Sequence, residues 1–195
     1  IFKLVLEANG FVEFVIEKNP QKNNQYDIMM EDSVLHNSSI PKFVIFSGST
    51  STEIKEIYRI IYNGEWDERL PTNIKNRLEA IPNHENNLNA NVIKCFMITS
   101  SGAEGINLKN TRYVHIMEPY WHPVREEQVI GRAVRLNSHT NLPEEKRFVK
   151  VFKYLTVFSY EQIYGRNEAG EDTTKTIKMV SPQIKKKDVS KINKN

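Results

Sequence analysis

A chain of 195 residues, 39% hydrophobic and 26% charged, has the size and composition of one globular domain with a real core and a tail. Its net charge of +3 permits a nucleic-acid partner without demanding one, because a dedicated nucleic-acid-binding domain is usually far more basic. The single cysteine, Cys95, excludes a disulfide framework and a cysteine-rich zinc site and fits a reducing, intracellular compartment, while the lack of any apolar run near the roughly 18 residues of a membrane span leaves no membrane partner expected.

The chain opens at Ile1, already inside an apolar segment, and reads as a fragment without its upstream part. IFKLVLEANG has the pattern of a helix end, with Gly10 placed for a left-handed cap. FVEFVIEK follows as a strand buried on both faces. Residues 19–42 are rich in Asn, Gln, Ser and acidic residues and are bracketed by Pro20 and Pro41, which predicts a surface insertion.

KFVIF predicts a second buried strand running into the small polar turn SGSTS. Ile54, Ile57, Tyr58, Ile61 and Tyr62 then recur at helical spacing, with Ser51 or Thr52 as the N-cap. A turn at Gly64 and a short helix from about Thr72 come next. HENNLNAN reads as a loop, and VIKCFMITS as a third buried strand with Cys95 in the core. It ends in the small-residue turn SSGAEGINL. RYVHIME predicts a fourth strand, PYWHPV a loop, Pro123 the start of a helix, and FVKVFKYLTVF a fifth strand.

Strands that alternate with helices and read as nearly continuous apolar runs predict an α/β fold with a mostly parallel sheet and helices on both faces. The expected lobe spans residues 1–160. Residues 161–195, with the run Lys185, Lys186 and Lys187, form a polar, Lys-rich tail or a truncated helical extension. Sites in such sheets gather beyond the carboxyl ends of the strands, where SGSTS, SSGAEGINL and EPYWHPVR fall.

Two of these loops carry chemistry. In EEQVIGRAVR, a continuous helix puts Gln128, Arg132 and Arg135 within roughly 60° of one another. Val129, Ile130, Ala133, Val134 and Leu136 take the other side. Rigid guanidinium forks suit phosphate oxygens, although arginines on an amphipathic helix are often only its solvated face. Gly131 costs about 1 kcal/mol in a helix interior, which a close approach by a backbone or ligand would offset. In MITSSGAEGINL, Thr99, Ser100 and Ser101 end a strand ahead of Gly102 and Gly105, a turn that exposes N–H groups and hydroxyls to anions.

A strand ending in TSSGAEGINL, then RYVHIMEPYWHP, then Gln-x-x-Gly-Arg-x-x-Arg together resemble motifs V and VI of superfamily 2 helicases, on the Swi/Snf-like branch. GSTSTEIKEI resembles that branch as well. The wording is most similar to helicase-like NTPases of nucleocytoplasmic large DNA viruses, relatives of the poxviral early-transcription and transcript-release ATPases. The resemblance implies a RecA-like C-terminal lobe over 1–160, specific at 99–136. By the same resemblance, Arg132 matches the motif VI arginine finger and Arg135 its companion. Gln128, Gly105 and Asn107 match positions lining the nucleotide cleft. Thr99, Ser100 and Ser101 match the segment touching the nucleic-acid backbone, and no residue is expected to bind metal directly.

The implied cofactor is ATP with Mg2+, held mainly by an N-terminal lobe of the same parent chain. The implied partners are DNA or RNA and viral transcription machinery, with a viral factory or virion as the setting. The sequence contains no GxxxxGK-type loop and no DExx box after a strand, so this polypeptide alone is expected to hydrolyse no ATP. The alternative reading is a non-catalytic RecA-like module that binds nucleic acid or a transcription partner. The two arginines in QVIGRAVR argue against it. A stand-alone nucleotide-binding domain is disfavoured, because no GxGxxG loop follows the first strand. Around the site, His115 reads as a strand residue, Trp121 as a packing anchor, Glu118 as a partner for one arginine, and Glu126 and Glu127 as first-turn carboxylates suited to the helix dipole.

Overall fold

Apolar runs become strands and periodic runs become helices in the order α1 (Phe2–Ala8), β1 (Val12–Glu13), β2 (Ile16–Asn19), β3 (Gln25–Ile28), α2 (Asp32–Leu35) and β4 (Lys42–Phe46). Then come α3 (Thr52–Asn63), α4 (Thr72–Glu79), β5 (Cys95–Ile98), β6 (Tyr113–Ile116), α5 (Pro123–Ala133) and β7 (Lys150–Lys153). The structure, a computed structural model, describes residues 1–82, 86–99, 105–119 and 121–157. Ser100, Ser101, Gly102, Glu104 and the Lys-rich tail lie outside the described residues.

β4 is the centre of a parallel ladder ordered β1-β4-β5, in register Val12↔Lys42 and Phe43↔Cys95. Its Phe43 and Val44 are fully buried, as its near-continuous apolar run requires. β6 and β7 form a second parallel pair, Tyr113↔Lys150. The α/β character with parallel strands matches the expectation.

FVEFVIEK changes partner midway instead of forming one strand. The Phe14 N–H still donates to the Phe43 carbonyl at 2.7 Å, but the Val15 carbonyl accepts from Met29 N–H and β2 pairs antiparallel with β3. Residues 19–42 therefore carry a hairpin and a short helix, and Ile28 and Leu35 from this stretch join the hydrophobic core. Arg77 of α4 fastens the hairpin by donating to buried Asp27, to the Ile28 carbonyl and to Asp32. The polar composition is thus used for staples as well as for solvation.

α3 supplies the largest apolar face, burying Ile57, Tyr58, Ile60 and Ile61. Ser51 caps it, its Oγ accepting from Ile54 N–H at 3.3 Å, and Gly64 closes it at φ 72°. A Cβ on Gly64 would meet Asn86 and the Asn87 backbone at 3.2 and 3.3 Å, so only glycine serves there. Cys95 is half-buried rather than core, because β5 has a ladder partner, β4, on one edge only. β6 and β7 are also more open than their apolar sequences suggest. Tyr113, His115, Phe152 and Tyr154 share one exposed face as a stacked row, and His115 Nδ1 bonds the Tyr154 hydroxyl at 2.8 Å. Among the described residues no helix is long and apolar enough to cross a membrane, and no cluster of His, Cys, Asp or Glu is arranged to hold a metal.

Candidate nucleotide and nucleic-acid site

The strand-end loops expected to hold the site begin beside one another. The Thr99 N–H donates to the Phe46 carbonyl at 3.1 Å, so β5 ends next to the polar turn after β4. In that turn Ser47 Oγ lies 2.8 Å from Ser49 Oγ and 3.2 Å from Thr50 Oγ1. Thr99 is exposed at the end of its strand.

Gly105 has φ 76°, and a Cβ there would meet nothing within 4 Å. From it the chain runs in an irregular stretch with Ile106 and Leu108 buried and Asn107 between them. Each edge of this stretch has its own holder. On one, Asn63 Nδ2 donates to the Asn107 carbonyl at 3.1 Å and the Lys109 N–H donates to Asn63 Oδ1 at 2.8 Å. On the other, the Leu108 N–H donates to the Arg132 carbonyl at 3.2 Å. That carbonyl is among the last four of α5, which have no partner within the helix. The bond therefore satisfies the helix end and brings the 105–108 stretch against the arginine.

α5 starts at Pro123, as expected, and turns Glu126, Ile130 and Ala133 inward at i, i+4 and i+7. Glu126 is 8% exposed and accepts from Lys153 Nζ of β7. Its role is a tie between helix and strand, beyond the dipole effect expected of it. Glu126→Ala should lower stability by about 1 kcal/mol, a value kept small because Lys153 is half in water; urea unfolding of the chain measures it.

Four expectations need correcting here. α5 ends at Ala133 with Val134 as its cap, so Arg135 lies beyond the helix and the three-residue stripe is broken at Arg132. The turn is made by Ser138, whose Oγ accepts from Arg135 N–H at 3.3 Å and lies 3.2 Å from the Ala133 carbonyl. Val129 and Leu136 are 37% and 78% exposed, so the opposite side is only partly an apolar anchor. Among the described residues nothing lies within 4 Å of a would-be Cβ on Gly131, so the expected approach by another backbone is not met there. Trp121 is 97% exposed in the loop ahead of α5, so among the described residues it is no packing anchor.

Gln128 and Arg135 are exposed and Arg132 is half-buried. Among the described residues no side-chain hydrogen bond or ion pair takes up Arg132 or Arg135, and Glu118 pairs with neither. Guanidiniums without carboxylate partners among the described residues suit a phosphate group. Asn107 Oδ1 and Asn110 Oδ1 are buried without partners.

A second polar staple was not foreseen. His139 Nε2 lies 2.8 Å from the Thr111 carbonyl, which only accepts, so Nε2 carries the hydrogen and Nδ1 faces Ser138 Oγ at 2.7 Å. Thr111 Oγ1 in turn bonds the Tyr62 hydroxyl at 2.9 Å, and burial pushes the Tyr62 phenol up from its ordinary value. Residues 105–111, the end of α3 and the end of α5 are thereby one connected unit.

The fold is thus an α/β lobe in which the stretch after a glycine turn is hydrogen-bonded, through Leu108, to an arginine-bearing helix end. The chain belongs to the helicase conserved C-terminal domain family, whose model matches residues 24–137. It is 39% identical over 103 residues to the termination factor NPH-I homolog of African swine fever virus, covering 53% of this chain and 14% of that protein. It is similar to two putative ATP-dependent RNA helicases of Acanthamoeba polyphaga mimivirus. These are 44% identical over 37% of this chain and 16% of the relative, and 43% identical over 49% and 11%. The resemblance to helicase-like proteins of large DNA viruses is borne out.

Proposed function

We propose that this chain is the second lobe of an ATP-dependent nucleic-acid helicase or translocase and completes an ATP site begun by an N-terminal lobe of the same parent chain. One observation carries the reading: the hydrogen bond from Leu108 N–H to the Arg132 carbonyl, which couples the glycine turn to the arginine. In this reading Arg132 is the finger that stabilises charge developing on the transferred phosphoryl group, and Arg135 is its companion. Gln128, Gly105 and Asn107 line the nucleotide. Asn107 Oδ1 is an acceptor without a partner, so it suits a ribose hydroxyl or a guanidinium better than a phosphate oxygen. Thr99, with Ser100 and Ser101, contacts the nucleic-acid backbone.

ATP supplies the phosphoryl chemistry when bound, with Mg2+ held by the other lobe, and this chain contributes orientation and positive charge. The names of the relatives, a termination factor homolog and putative ATP-dependent RNA helicases, support a nucleic-acid track, and we read the partner as viral transcription machinery and the site of action as intracellular. The isolated chain should release no phosphate from ATP above background. The complete protein should do so with stimulation by nucleic acid. A phosphate-release assay on both tests the proposal, and robust magnesium-dependent turnover by the isolated chain would refute it.

A further inference from the structure

We infer that Asn63 is a positioning residue for Arg132, acting as a latch that replaces a missing strand partner for residues 107–109. The inference rests on the reading of Arg132 as the finger. Residues 106–109 run in no ladder, yet Ile106 and Leu108 are buried, so their backbone groups need partners from elsewhere.

Asn63, the last residue of α3, is 3% exposed. Its amide bonds the Asn107 carbonyl and the Lys109 N–H, two groups that flank one residue, as a neighbouring strand would do. The Leu108 N–H, between them, points the other way and takes the Arg132 carbonyl. The stretch is thus pinched between α3 and α5, and Asn63 is the α3 end of the polar link that runs through Leu108 to the Arg132 backbone. Gly64 behind it, at φ 72°, leaves little room for a Cβ beside Asn86 and Asn87, so the end of α3 packs closely against that loop.

Removing the latch releases one edge of 107–109 and lets the Arg132 backbone drift. A drift near 1 Å at a group that acts in the transition state lowers kcat on the order of 10²-fold. The stretch keeps its other edge through the Leu108 bond, so KM for ATP should change far less than kcat, staying within about twofold.

The test uses the complete protein carrying Asn63→Leu and, separately, Asn63→Asp, with Arg132→Ala alongside. Asn63→Leu should show the kcat loss at unchanged KM, and the amides of 105–111 should exchange hydrogen faster. Asn63→Asp keeps the acceptor for Lys109 and loses the donor to Asn107 until its carboxyl is protonated. Its kcat relative to the parent should therefore recover as pH falls, whereas that of the leucine variant should not. Parent-level kcat at neutral pH in either folded variant, or a loss confined to KM, overturns the latch. If the leucine variant does not fold, the aspartate variant decides alone. Hydrogen exchange needs no turnover, so parent-level activity in Arg132→Ala would sink the finger reading while the exchange result still judges the Asn63 contacts.

Discussion

Arg132→Ala in the complete protein should reduce ATP turnover by roughly 10³- to 10⁵-fold while nucleotide binding is largely retained. The size follows from where the charge sits. Arg132 is half-buried at the end of α5, its carbonyl is held by Leu108, and among the described residues no carboxylate neutralises its guanidinium. The held backbone fixes the base from which the guanidinium can reach charge developing opposite it, and positive charge placed in advance in this way stabilises a transition state. Arg132→Lys keeps the charge but not the planar fork and should recover only a small part of the rate. Arg135→Ala should do less harm than Arg132→Ala, because Arg135 is exposed beyond the helix end and its N–H rests on Ser138 alone. Steady-state phosphate release with equilibrium binding of a fluorescent nucleotide separates the two terms. Turnover that survives intact in Arg132→Ala removes the finger from the mechanism.

The elements most legible in the sequence are those set by local chemistry. The apolar spacing of 54–62, with Ser51 before it and Gly64 after it, defines α3 with both caps, because each signal acts within one or two turns. Pro123 marks the start of α5 for the same reason. The end of α5 was not legible. Ala133, Val134, Arg135 and Leu136 continue a helical pattern with tolerable propensities, yet tertiary bonds overrule them. The Arg132 carbonyl is taken by Leu108 from 24 residues away in the chain, and Ser138 folds the backbone back on Ala133 and Arg135. The split of FVEFVIEK is similar in kind, since periodicity shows that Phe14 and Ile16 are buried but not which strand each neighbour joins. Asn63 carried a weak signal, an asparagine three residues after Ile60 on the buried side of α3. An Asn-Gly pair at a helix end is also what an ordinary cap looks like, and the two meanings separate only once residues 107–109 are seen against it. The candidate site was therefore readable as a set of residue types, while the bonds that aim them were not.

Asn87 shows how much of the fold rests on such bonds, and its removal should be the most damaging single polar change in the chain. The stretch around it reads as plain loop, but Asn87 is 5% exposed and its amide is fully used. Nδ2 donates to the Tyr62 and Ile93 carbonyls at 3.0 and 3.1 Å, and Oδ1 accepts from the N–H groups of Val92 and Ile93 at 3.1 and 3.0 Å. Val92 and Ile93 are themselves fully buried, so water cannot replace the lost partners without opening the core. Asn87→Ala leaves four backbone groups unmatched and should destabilise the chain by about 3–5 kcal/mol, at the upper end of single substitutions. The thermal midpoint should fall by about 10 °C. Asn87→Asp keeps the two acceptor bonds but sets a carboxylate against two carbonyls, so at neutral pH it should fare no better than alanine and should gain stability as the carboxyl protonates. Urea unfolding of the three forms across pH 5 to 8 measures both effects. A loss below about 1 kcal/mol for Asn87→Ala would mean that the loop relaxes and re-pairs, and that Tyr62 and the end of α3 are held by apolar packing and the Thr111 bond without Asn87.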